Sequence, residues 1–61
     1  MRSITTTDGT VLTATNDEGL AWAWAEYESY ARWDVLSYGQ QCHLAADALA
    51  ELRRAAGRSH A

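Results

Sequence analysis

Cysteine is almost missing from this 61-residue chain: Cys42 stands alone, so no intramolecular disulfide can form. A lone thiol suits a reducing compartment better than an oxidising one. Long apolar runs are missing as well. The N-terminal MRSITTTDG has no apolar stretch of the kind an export signal needs, and nowhere do about 18 apolar residues follow one another. The expectation is a soluble protein of the bacterial cytoplasm with no membrane contact. Lysine is absent, all five basic side chains are arginine, and alanine is abundant. Arginine and alanine have GC-rich codons and lysine AT-rich ones, so a GC-rich bacterium or its phage is the expected source.

Catalytic signatures are also lacking. There is no GxSxG, HExxH or CxxC, and Gly39 has no phosphate-loop context. Cys42 and His43 are adjacent, so on a helix their side chains diverge by about 100° and form no dyad with each other. His60 falls in the expected tail. The chain therefore reads as no enzyme, with no metal, no cofactor and no small-molecule substrate. Cys42 reads as a small packing residue at the edge of the core.

A chain this short makes one domain, and such a domain buries only about 60% of the surface its unfolded chain exposes. The net charge of −3 is unevenly spread. Residues 8–34 hold six acids (Asp8, Asp17, Glu18, Glu26, Glu28, Asp34) against Arg32 alone, a local balance of −5. From Val35 onward, Asp47 and Glu51 stand against Arg53, Arg54 and Arg58. The front of the chain repels nucleic acid, so direct nucleic-acid binding is not expected there.

The pattern of residues predicts an α+β fold: an N-terminal β-hairpin over 2–14, then two antiparallel α-helices over about 16–33 and 38–56, with a frayed tail at 57–61. The hairpin follows from the Thr/Val/Ile-rich stretch around Asp8-Gly9. Of two registers, a three-residue loop (7–9) with Gly9 left-handed in a G1 bulge pairs Ile4 with Leu12 and Arg2 with Ala14. That register gathers Ile4, Leu12 and Ala14 on one face, and the buried face sets register. Thr15 and Glu18 have capping-box spacing for the first helix, with Asp17 and Glu18 at the positive end of its dipole. Ser37 caps the second helix over Gln40, and Gly57 stops it. Leu44, Ala45, Ala48, Leu49, Leu52 and Ala56 fall on one face of that helix.

What the chain does have is aromatics in one place. LAWAWAEYESYARW, residues 20–33, carries all three tryptophans and two of the three tyrosines. On an ideal helix Leu20, Trp24, Tyr27, Ala31 and Val35 share the stripe that would face the core. Trp22, Glu26, Ser29 and Trp33 fall roughly opposite, with Tyr30 at their flank. Two readings of that second set stand side by side. Either the hairpin wraps round and covers Trp22 or Trp33, or the set is an outward patch for a partner or for a second copy, since tryptophan and tyrosine anchor binding sites. The expected partner-binding residues are Trp22, Glu26, Tyr30, Trp33, Asp17, Glu18, Glu28 and Asp34.

In size and acidity the chain resembles the small phage-encoded inhibitors of bacterial defence systems, the anti-CRISPR proteins among them. The resemblance lies in the profile only, with no shared motif and so no site residue to carry over. It implies a non-enzymatic module that sterically blocks a host protein or nucleoprotein complex; on that reading Trp22, Tyr30 and Trp33 would anchor, and Asp17, Glu18, Glu26, Glu28 and Asp34 would face the cations of a nucleic-acid channel. Two alternatives remain: a dimeric DNA-binding regulator using Arg53, Arg54 and Arg58, and a structural homo-oligomer.

Overall fold

A computed structural model describes residues 1–59. Strands β1 (Arg2–Thr5) and β2 (Val11–Ala14) form an antiparallel hairpin, and helices α1 (Asp17–Ser29) and α2 (Tyr38–Ser59) follow it. A 3₁₀ segment, Tyr30–Val35, lies between the helices. Together these elements make a small α+β fold of the expected order.

The hairpin takes the expected register, Arg2 opposite Ala14 and Ile4 opposite Leu12. Gly9 is left-handed at φ +91°, and its N–H donates to the Thr6 carbonyl at 3.0 Å while Thr6 N–H donates to Thr10 at 2.8 Å. That is the three-residue loop with its G1 bulge. Around the turn the Asp8 carboxylate accepts from the Thr6 hydroxyl and from Thr10 N–H. The Tyr27 hydroxyl of α1 lies 3.3 Å from that of Thr6, tying the turn to the helix. The Thr6 hydroxyl, then Tyr27, then Thr10 hold the Asp8 carboxyl well below the usual carboxylate range. The same carboxylate pushes the Tyr27 hydroxyl up.

The start of α1 differs from the expectation. Asn16, not Thr15, is the N-cap: it is extended, and its side chain accepts from Gly19 N–H at 2.8 Å. An asparagine directly before the first helical residue reaches the third N–H and is at least as good a cap as threonine. The end differs more. The α-helix stops at Ser29 instead of running to Trp33, and Tyr30 takes φ +53°. The Ser29 hydroxyl donates back to the Ala25 carbonyl at 2.8 Å, a contact that competes with continued helix. The tighter 3₁₀ winding then shifts every later side chain off the helical stripe. Val35 is 81% exposed and Ala31 is exposed, so neither joins the core as the ideal stripe required.

The Ser37 cap holds as expected: Gln40 N–H donates to its hydroxyl at 3.2 Å, and Ser37 N–H donates to the Gln40 side chain at 2.9 Å. Gly57 does not stop α2, which continues to Ser59. Glycine ends a helix by turning left-handed, and within the helix it merely weakens it. His60 and Ala61, the last of the expected tail, lie outside the described residues.

The core is thin and built from small side chains. Among the described residues, Leu20, Ala21 and Ala25 of α1 and Ala45 and Ala48 of α2 are buried. Ala21 and Ala45 border one interhelical cleft, Ala25 and Ala48 the other. Alanines of both helices therefore line the seam between α1 and α2. The hairpin approaches another side of α1, so α1 is the element that both other layers share. Arg2 Nε donates to Asp17 at 2.8 Å and pins the hairpin to the helix start.

Two measurements test this packing. Ala45→Leu overfills the seam and lowers unfolding free energy by about 1–3 kcal/mol, while Ala50→Leu on the exposed side of α2 shifts it by less than about 0.5 kcal/mol; urea titrations of both compare them. Acidification tests Asp8. A depressed carboxyl contributes stability that is present above its ordinary value of 3.8 and lost as pH falls toward its folded value. Melting curves of wild type and Asp8→Asn are therefore expected to differ near neutrality and to draw progressively together as pH falls below 3.8; a gap that stays constant would remove the role given to the turn.

Candidate interaction surface

One flank of α1 collects the rings. Residues four apart on an α-helix stand one above the other, so Glu18, Trp22 and Glu26 form a single stripe of α1. The 3₁₀ segment then curls the chain back, bringing Trp33 onto Trp22 with ring centroids 5.8 Å apart at 87°. This is the edge-to-face arrangement aromatic quadrupoles favour. Tyr38, in the first turn of α2, stacks on Trp22 from another side at 6.1 Å and 23°. Gln41 Nε2 donates to the Trp33 carbonyl at 2.8 Å, and Leu36 N–H donates to the same oxygen at 3.3 Å. These bonds fix the turn that presents Trp33.

Of the two sequence readings for Trp22 and Trp33, neither stands unmodified. Both rings are half-buried, and the aromatic contacts of Trp22 are Trp33 and Tyr38. Tyr38 itself is 75% exposed and caps the cluster toward solvent. Its hydroxyl titrates above the ordinary tyrosine value because the Cys42 side chain, one turn on, hydrogen-bonds it. Cys42 lines a shallow apolar groove of about 250 Å³ with Glu18, Ala21, Trp22, Ala45 and Leu49, which fits its reading as a packing residue.

The eight expected partner residues divide. Trp22, Trp33, Glu18 and Glu26 share the flank, and Asp34 adjoins Trp33 in the chain. Tyr30 does not join them: it is 73% exposed and its ring lies 5.8 Å from that of Tyr27. Asp17 is engaged by Arg2. Glu28 lines a cleft with Trp24, Arg32 and Leu44 on the other side of the alanine seam. Sequence reasoning missed Tyr38. Its signal was present in the short link after Trp33, which leaves the first turn of α2 no room to stand far from the ring that precedes it.

The arginines of α2 are partly spoken for. Arg54 bonds Glu51, and Arg53 lines an open cleft with Arg2, Asp17 and Glu18. His43 lies 3.5 Å from Asp47 along α2, both exposed. Among the described residues, no three His, Cys, Asp or Glu side chains are placed to hold a metal ion. No helix among them is long and apolar enough to cross a membrane. The chain matches no known family, curated protein or solved structure.

The Trp22–Trp33 contact is checked by a double-mutant cycle with Trp22→Leu and Trp33→Leu. A coupling of about 0.5–1.5 kcal/mol in unfolding free energy is expected. Additive losses would mean that the two rings stabilise the fold independently.

Proposed function

We propose that this chain is a non-enzymatic protein-binding module whose anchors are Trp22, Trp33 and Tyr38, framed by Glu18, Glu26 and Asp34. One observation carries the reading: Trp33 and Tyr38 both pack on Trp22, and the outermost of the three rings, Tyr38, faces solvent. Rings already held in place lose little entropy on binding, which favours them as anchors. A packing role alone gives no reason for the outermost ring, Tyr38, to be three-quarters exposed.

The carboxylates beside the rings select the partner. Glu18 and Glu26 flank Trp22 with no ion pair among the described residues; Glu18 shares an open cleft with Arg2 and Arg53, so the field of Glu26 above all is available to an approaching cationic surface. Lysine- and arginine-lined channels that hold nucleic acid offer such a surface. The partner we infer is a nucleic-acid-binding host complex, blocked sterically in the bacterial cytoplasm, in the manner of the phage inhibitors that the chain resembles in size and charge. With a total surface of 4470 Å², a standard footprint of about 800 Å² would take nearly a fifth of the molecule, so the aromatic flank forms the centre and its neighbours the rim.

A nuclease-treated pull-down from a GC-rich host lysate tests this, with Trp22→Ala/Trp33→Ala beside wild type. The expected result is a nucleic-acid-binding protein retained by wild type, with affinity for the double variant reduced at least about thirtyfold. Retention of the same proteins by both variants sinks the proposal. Concentration-dependent self-association that the double variant abolishes would assign the flank to a second copy instead.

A further inference from the structure

The hairpin has an unpaired edge, and that edge opens onto a cleft. Thr6 N–H donates to the Thr10 carbonyl, so Thr6 faces β2. Antiparallel pairing alternates, so Ile4 and Arg2 also bond toward β2, while Ser3 and Thr5 direct their N–H and C=O outward. Among the described residues β1 pairs with β2 alone. Beside that edge lies a cleft of about 430 Å³ whose lining includes four consecutive residues, 4–7. Two of these four, Ile4 and Thr5, belong to β1, and Thr6 and Thr7 carry on into the turn, so the cleft follows the chain from the end of β1 into the turn. Trp24 and Tyr27 of α1 also line it, as do Glu51 and Leu52 of α2.

We propose that this slot between β1 and α2 receives an extended, arginine- or lysine-bearing segment of another protein, which adds to β1 as a third strand. The backbone supplies the pairing, because the outward groups of Ser3 and Thr5 match the spacing of an incoming strand. Trp24 and Leu52 supply apolar contact. The charge of the slot selects the occupant: its lining holds two carboxylates, Glu28 and Glu51, and no cation, although Arg54 reaches Glu51 from along α2. A neighbouring cleft of about 580 Å³ shares Trp24, Glu28 and Glu51 and adds Asp47 and Arg32, giving long basic side chains room beyond the strand. A second copy of this chain fits less well. The one basic residue on its β1 is Arg2, already bound to Asp17, and each copy carries a net charge of −3.

The slot is independent of the aromatic flank. Trp24 and Trp22 are two residues apart and so point to nearly opposite sides of α1, and failure of either proposal leaves the other standing.

The test uses the whole chain, isotope-labelled, titrated with a blocked heptapeptide of sequence Thr-Arg-Val-Arg-Val-Arg-Thr. The same peptide with glutamate for arginine, and one N-methylated at alternate residues, serve as controls. Binding of the basic peptide is expected to slow amide exchange at Ser3 and Thr5 and to shift the Trp24 indole signal, with neither control doing so. Thr5→Pro removes one outward N–H and leaves the β2 ladder intact, and is expected to weaken binding roughly five- to tenfold. Glu28→Gln/Glu51→Gln, which changes only exposed side chains, is expected to weaken it by a similar factor and supplies the comparison should the proline variant fold poorly. Three results would overturn the proposal: no response at millimolar basic peptide, equal binding of the acidic peptide, or protection of Ser3 and Thr5 that grows with protein concentration in the absence of peptide.

Discussion

The close approach of two alanine-lined helix faces decides most of this structure. Ala21 and Ala25 on α1 and Ala45 and Ala48 on α2 line the seam, and with Leu20 they make up the buried set among the described residues. Small side chains let helix backbones come near one another, but they leave no interior volume for an indole. The tryptophans are therefore pushed to the margins. Trp22 lies on one side of the seam, beside Cys42 and Leu49, and Trp24 lies on the other, beside Leu44 and Leu36. Two large residues separated by a single alanine are what a helix needs to flank a narrow seam on both sides, because two positions carry the chain about 200° around the axis.

A seam this slight stabilises little by itself, so the margins contribute. On the Trp22 side the chain reverses through Tyr30 and the 3₁₀ segment, and this reversal delivers Trp33 and Tyr38 to the Trp22 indole. The left-handed backbone at Tyr30 costs on the order of 1–3 kcal/mol, offset by the ring contacts and the bond from Gln41 to the Trp33 carbonyl that the turn allows. On the Trp24 side the cover is incomplete. The hairpin is held to α1 at its two ends, by Arg2 on Asp17 and by the Thr6–Asp8–Tyr27 cluster. Between those ties the edge of β1 stands off from α2 and leaves the slot. The two proposed surfaces thus have one origin: α1 carries large rings on both sides of its alanine seam, and the neighbouring elements cover them only in part.

Charge is distributed to match. Acids that a sequence count treats as one cluster separate into three uses. Asp8 and Asp17 hold the hairpin in place, Glu18 and Glu26 border the aromatic flank with Asp34 next to Trp33 in the chain, and Glu28 lines the slot. The second and third groups, unlike the first, are not tied to the hairpin, and both favour a cationic partner.

Local chemistry in the sequence was enough for the order of strands and helices and for the register of the hairpin. Asp8-Gly9 with its flanking threonines dictated the turn, and the pairing of Ile4 with Leu12 followed from putting apolar residues on one face. The Ser37–Gln40 cap was legible from its four residues, whereas at the start of α1 two adjacent capping residues, Thr15 and Asn16, competed and the second took the role. Trp22 could be placed away from the core because α1 is regular where it sits. What the tertiary structure alone decided begins at Ser29, where the helix ends without proline or glycine. Past that point the 100° rule no longer applied, so Ala31 and Val35 left the core, Tyr30 went to Tyr27, and Trp33 came to Trp22 by a route no helical wheel contains. Tyr38 joined the cluster for the same reason. Periodicity reports on a side chain's direction only while the backbone keeps its period, and here the reversal between the helices, set by what α1 and α2 pack against, fixed the candidate surface.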